Sequence, residues 1–289
     1  PAGSTTSGPI TVPTVDDTIF EPTEDFTVTG TVTTGTTANT SAEGTGSILD
    51  NEDPAGPTVT IEDVTVTEGE DAVFEVTLSN ASSQDITVDV TFTEGTATDP
   101  EDYTATAVTV TIPAGSTTSG PITVPTVDDT IFEIDETFTV TGAVFSGMTS
   151  NSNTTGTGTI TDNDGDGPNI SIVNVTVEEG QDAVFYVTSD QLSYEDIVVD
   201  ITFADGTATN PADYTDGTPL QVTIPAGTQT SGPITVPTVD DTIFEIDETF
   251  TVTGAVFSGT TSNSNTTGTG TIISNEILAI NDINDTFVN

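Results

Sequence analysis

Residues 128–138, Asp-Asp-Thr-Ile-Phe-Glu-Ile-Asp-Glu-Thr-Phe, crowd carboxylates into one short stretch. Residues 240–250 repeat it letter for letter, and residues 16–26 read Asp-Asp-Thr-Ile-Phe-Glu-Pro-Thr-Glu-Asp-Phe. Each copy places four or five acids within nine residues. Such a cluster repels itself unless a positive charge sits in it, and the chain has no Lys, Arg or His to supply one. The charge must come from solvent. A hard divalent cation bound by carboxylate and carbonyl oxygens, Ca²⁺ above all, matches this chemistry.

The same composition excludes much else. With 47 acids, no bases and a formal charge of −47, phosphate-directed nucleic-acid binding has no cations to work with. Anionic membrane surfaces repel the chain. Triads built on His, Cys nucleophiles, Schiff bases, arginine fingers and His/Cys zinc sites are all ruled out by residue type. Cys is absent, so no disulfide staples the fold. No apolar run reaches the roughly 18–20 residues of a membrane span. High charge with few aromatics is a composition of disordered chains. Against that stand 33% hydrophobic residues in period-2 runs such as Val64-Thr65-Val66 and Phe138-Thr139-Val140. Disorder without metal is the alternative.

The acids belong to a repeat. Pro1–Ile10 returns as Pro113–Ile122 and, nearly unchanged, as Pro225–Ile234, a period of 112 residues in both steps (113−1 and 225−113). Glu68-Gly69 matches Glu179-Gly180, and Asp102-Tyr103 matches Asp213-Tyr214, at 111 residues. One residue is therefore lost and one gained within the unit. Asp50-Asn51-Glu52-Asp53 matches Asp162-Asn163-Asp164, and the third copy ends in Ser274-Asn275-Glu276. A unit of this length is domain-sized. The expected organisation is a partial domain at 1–53, complete domains at 57–164 and 168–276, and the start of a linker or further domain at 277–289. The Pro/Gly joints favour an extended string of beads. Because Pro1 falls inside a repeat, the chain reads as a fragment.

The middle unit has strand-like runs near 58–67, 70–78, 85–93, 105–112, 120–127, 136–145 and 155–161, separated by Gly, Pro, Asn and Ser turns. No window has a helical period. The expected fold is all-β, a seven-stranded antiparallel Greek-key sandwich of Ig-like type. Its turns alternate between two ends, so Glu68, Asp102, the 128–136 loop and Asp162–Asp164 should gather at one tip. Asp128 and Asp135 are the weakest members. Phe145, Phe257 and Tyr194 are expected in the core rather than as exposed contacts.

The residues Thr67-Glu68-Gly69, Gly95-Thr96-Ala97 with Asp102-Tyr103, Ile112-Pro113-Ala114-Gly115, the 128–138 stretch and Thr159-Ile160-Thr161-Asp162-Asn163-Asp164 resemble the Calx-β module. The resemblance covers both complete units and the C-terminal half of the first. It implies a sandwich that binds Ca²⁺ at one tip, with Glu68, Asp102, Asp129, Glu133, Glu136, Asp162 and Asp164 as ligands. Carried to the third unit, it implies Glu179, Asp213, Asp241, Glu245 and Glu248, with fewer or weaker sites because the Asp-rich ending is gone. In the first unit it implies Asp17, Glu21, Glu24, Asp50 and Asp53 from half a shell. Thr-rich, Lys-free tandem units also resemble the stalks of giant bacterial cell-surface adhesins, the gliding-motility adhesins of Bacteroidetes among them. That likeness implies a non-enzymatic, extracellular, calcium-stiffened spacer that holds an adhesive tip away from the cell, its partners being calcium and neighbouring repeats. The alternative is that the repeats themselves bind surface glycans or proteins. Paired carboxylates can hydrolyse glycosides, but a chain without Trp, Arg or His is poorly equipped to hold a sugar, so no enzyme is expected.

Overall fold

Alternating Thr with Val, Ile and Phe gives each run one apolar face, and such runs become half-buried strands. In the computed structural model, which describes residues 5–277, every regular element of the described residues is a strand. Among those residues, no helix is long and apolar enough to cross a membrane. Contacts divide the chain into two compact units. One holds the described residues up to Asp128 together with Asp135–Thr161. The other holds Asp129–Ile134 together with the residues from Asp162 onward.

The first unit begins with an antiparallel ladder of β1 (Glu24–Thr31) and β2 (Ser41–Ile48). Then follow β3 (Val59–Ile61), β4 (Val64–Thr67), β5 (Asp71–Leu78), β6 (Ile86–Glu94), β7 (Val108–Ile112) and β8 (Thr118–Pro125). The second unit contributes the two-residue β9 (Ile131–Phe132), and the chain returns to the first for β10 (Glu136–Ser146) and β11 (Asn153–Thr161). The middle repeat's sheets run β4-β11-β10-β6-β7 and β3-β5-β8. Its leading strand changes sheet: β3 pairs antiparallel with β5, and β4 runs parallel to β11. Phe74, Val88, Tyr103, Phe138 and Val140 fill the core between the sheets.

The third repeat copies this order with β12 (Ile170–Ile172), β13 (Val175–Glu178), β14 (Ala183–Phe185), β15 (Val187–Ser189), β16 (Leu192–Ser193), β17 (Ile197–Asp205), β18 (Gln221–Ile224), β19 (Ile234–Val236), β20 (Glu248–Ser258) and β21 (Asn265–Ile273). Its five-stranded sheet is β13-β21-β20-β17-β18, over a core of Phe185, Val199, Tyr214, Phe250 and Val252. The residue gained in this repeat lies between Tyr214 and Gln221. There Thr218 exchanges two backbone hydrogen bonds of 3.1 Å with Thr235. The matching part of the middle repeat is an open slot lined by Phe92, Val108, Val110 and Val124.

Phe145 and Phe257 depart from expectation: they are 75% and 68% exposed. The cause is alternation itself: Phe138, Val140 and Val144 face the core along β10, which leaves Phe145 on the outer face, and Phe257 follows core-facing Val256 on β20 in the same way. A bulge adjoins each Phe, where register shifts between Val144 and Ser146 and, in the third repeat, opposite Val198 and Val199. Tyr194 is also 37% exposed. The segment 278–289, expected to open a further linker or domain, lies outside the described residues.

Candidate metal centre

The third repeat shows most directly how strands place the acids. Glu179 follows β13 in a turn whose backbone is tied to the last strand, Glu179 N donating to Ile273 O at 3.0 Å. Gly180 makes the turn with φ of +77°, and a Cβ there would come within 2.8 Å of Asp240 Cβ. Only glycine allows both that backbone angle and that approach. The hydrogen bond from Ile243 N to Asp241 Oδ1, 2.7 Å, folds the acidic loop into an Asx-turn. Asp213 closes its own loop by accepting from Thr209 N at 2.7 Å and Thr209 Oγ1 at 3.1 Å. Tyr214, next in sequence, stacks on Phe250 with ring centroids 4.4 Å apart. That stack pins the loop to the core and fixes where Asp213 sits.

Two carboxylate triads result. Glu179, Asp241 and Glu276 bring ligand oxygens within 4.8 Å of one another, and so do Asp213, Glu245 and Glu248. In the middle repeat the corresponding acids are divided, Glu68, Asp102 and Glu136 in the first unit and Asp129, Glu133 and Asp164 in the second. The same local devices recur there. Ile131 N donates to Asp129 Oδ1 at 2.7 Å, Thr98 N to Asp102 Oδ2 at 2.7 Å, and Tyr103 stacks on Phe138 at 4.3 Å. Gly69 has φ of +78°.

Asp162 joins neither triad. Its two oxygens accept the amides of Glu133 at 3.1 Å and Asp164 at 3.2 Å, so it braces the loops that carry other acids. Ser274 takes this place in the third repeat, accepting from Glu245 N at 3.3 Å. Glu276, absent from the expected ligands, completes the triad that the Asp-rich ending was expected to supply. Its signal was present in the repeat, since 276 lies one period after 164. The third repeat thus gathers two full triads despite its altered ending. In the first repeat Asp17, Glu21, Glu24 and Asp50 line one acidic hollow with Glu52. Asp53 instead caps a turn, accepting from Ala55 N at 3.0 Å. Asp128 and Asp135 stand outside the triads.

The electrostatics report uncompensated charge. Burial, then the charges of Asp213 and Glu245, push the Glu248 carboxyl above the usual range. Glu245 is raised by desolvation and by Asp213, Asp241 and Glu179. Asp162 is raised chiefly by burial, against the pull of its two backbone donors. Glu276 is raised and Glu179 lowered by the hydrogen bond they share. Glu68 and Glu179 are only 6% and 5% exposed. Buried acids next to acids are costly without a counter-charge. Two oxygens bound to one Ca²⁺ at 2.3–2.6 Å are separated by at most about twice that distance, so each triad fits around a single ion. An all-oxygen carboxylate set also suits a hard cation. In the first repeat, Asp50 Oδ2 is buried with no hydrogen-bond partner, as an oxygen intended for a cation would be.

The Calx-beta domain family matches residues 1–63, 50–166 and 162–276. The chain belongs to that family and carries it in tandem. Among solved structures, it is similar to CBD12 from CALX1.2 (16% identity, 75% of this chain and 100% of that one, TM-score 0.32). It is also similar to the calcium binding domain CBD12 of CALX1.1 (18%, 68% and 79%, 0.32) and the apo-form Calx CBD1 domain (21%, 37% and 99%, 0.32). No curated protein sequence matches it.

Proposed function

We propose that each tip is a calcium site and that the tandem array is a non-enzymatic spacer in a bacterial cell-surface adhesin. The observation that carries the calcium reading is the pair of carboxylate triads within the third repeat, in a chain with no cation of its own. Glu179, Asp241 and Glu276 would hold one ion of the third repeat, and Asp213, Glu245 and Glu248 another. The ion supplies the charge that lets these acids lie together. The chain supplies the loops that aim them. Repeats this alike suit a part whose role is length rather than a distinct pocket, which supports the spacer reading. Calorimetric titration of the metal-stripped chain tests the calcium reading: several ions per chain are expected, two of them in the third repeat, with heat of binding lost in chelator. A chain that binds none overturns it. Antibody labelling of intact cells that express the protein tests the surface location.

Exposed Phe145 and Phe257 favour a second reading, in which the repeats contact glycans or proteins directly. Phe145→Ser with Phe257→Ser would then abolish binding to the ligand surface and leave calcium uptake unchanged.

A further inference from the structure

The acidic loop carries an apolar pair among its carboxylates, Ile-Phe, that no metal needs. Its three copies meet different fates. Phe20 is 2% exposed and Phe132 is 7% exposed, whereas Phe244 is 45% exposed with Ile243 at 63% and Ile246 at 76%. The loop sequence around Phe132 and Phe244 is identical, so the difference lies in what each touches.

In the first unit, Phe20 N donates to Ala81 O at 2.8 Å and accepts on its own carbonyl from Ser83 N at 2.9 Å, forming a parallel bridge to Ser82. In the second unit, Phe132 does the same one repeat on. Ile131 and Phe132 pair in parallel with Leu192 and Ser193, and Tyr194 N donates to Phe132 O at 3.1 Å. Ser82 and Ser193 are themselves buried at 2% and 3%. Each accepts the amide two residues on, Gln84 N at 3.1 Å and Glu195 N at 3.2 Å, and so holds the receiving turn. The flanking residues change from Ala81 to Leu192 and from Ser83 to Tyr194. Recognition therefore runs through backbone groups and the aromatic knob. Phe244 has the same loop but forms no bridge among the described residues, and a shallow hollow lies beside it, lined by Glu245, Ile246 and Ser274.

We infer that the Ile-Phe of the acidic loop is a clasp for the next repeat, and that Ile243-Phe244-Ile246 is an open docking face for another sandwich of this family presenting a Ser-centred turn after its second strand. The two closed clasps identify that occupant. A two-residue bridge and one ring are weak alone. They hold because a short linker keeps the receiving turn at high local concentration. This inference deepens the tandem-array part of the proposal above and does not depend on its calcium part.

Hydrogen exchange on the full chain at saturating calcium tests the closed clasps. Phe132→Ala should speed exchange of the Tyr194 amide by about ten- to a hundredfold, and Phe20→Ala that of Ser83. Phe244→Ala should change neither. The open face is tested by inserting a second copy of residues 165–276 after Glu276, which keeps the repeat in register. The amide matching Tyr194 in the inserted copy should be protected, and Phe244→Ala should strip that protection while Phe244→Leu keeps part of it. Protection of β20 core amides reports that the variants fold, and a calcium stoichiometry unchanged by each Phe substitution separates loss of the clasp from loss of metal. Equal exchange with and without Phe244 overturns the docking face, and an unmoved Tyr194 amide in Phe132→Ala overturns the clasp.

Discussion

At the residue scale, the acids divide by work rather than by charge. Asp213 uses one oxygen to close its loop, so its removal affects both the loop and the triad. Glu245 and Glu248 have raised carboxyls because burial and neighbouring acids oppose ionisation. Glu245→Gln keeps the shape and removes one charged ligand. It should weaken one site in the third repeat by roughly tenfold or more, read by calcium titration. The same shifts set a pH dependence for the metal-free chain. A carboxyl raised in the folded state stabilises the fold below its unfolded pKa and loses that contribution as pH rises through its folded one. Asp162, Glu245 and Glu248 all follow that direction. Glu179, lowered, opposes it. The metal-free chain should therefore melt higher just above the ordinary carboxylate range than at neutral pH, and saturating calcium should reverse the trend.

At the scale of elements, an aromatic ring and a glycine act as a pair across strands. Phe138 on β10 faces Gly158 on β11 in direct register, and a Cβ at Gly158 would lie 2.3 Å from Phe138 Cζ. Phe250 and Gly270 repeat this with 2.2 Å, and Phe26 and Gly46 with 2.5 Å. The ring fills the space that the missing side chain leaves, and Tyr103 stacks on its other side. This sandwich of Gly, Phe and Tyr links the strand ladder to the loop bearing Asp102. Gly158→Ala should cost about 1–3 kcal/mol by overpacking, seen as a lower denaturant midpoint with unchanged slope. Adding Phe138→Leu should recover part of that loss. The alternation Thr-Gly-Thr-Gly-Thr in β11 was visible in the sequence, but it reads as flexibility until the facing ring is known.

At the scale of the whole molecule, 47 acids and no bases make every folded state self-repelling. Under the calcium proposal the ion relieves this at chosen points, whereas monovalent salt screens it everywhere over about a Debye length. Chelation should lower the melting temperature by many degrees, and raised NaCl should restore only part of it, as followed by circular dichroism. Salt that restored all of it would show general screening rather than bound ions at the tips. The pairing of Asp129–Ile134 with the second unit cuts across the sequence period. A loop that belongs to the middle repeat by sequence thus places Phe132 against the next repeat.

Composition and period alone determined that the chain is all-β, cation-free and built of domain-length repeats whose acidic turns converge. Alternation sets which face of a strand is buried, and strand parity sets which turns share an end. Both are local counts that a sequence displays. Tertiary structure decided which acids meet within one ion's reach, that Asp162 braces while Glu276 joins a triad, and that Phe132 is buried while its identical twin Phe244 is exposed. These outcomes depend on which segments face each other across the fold, and identical letters cannot carry that difference.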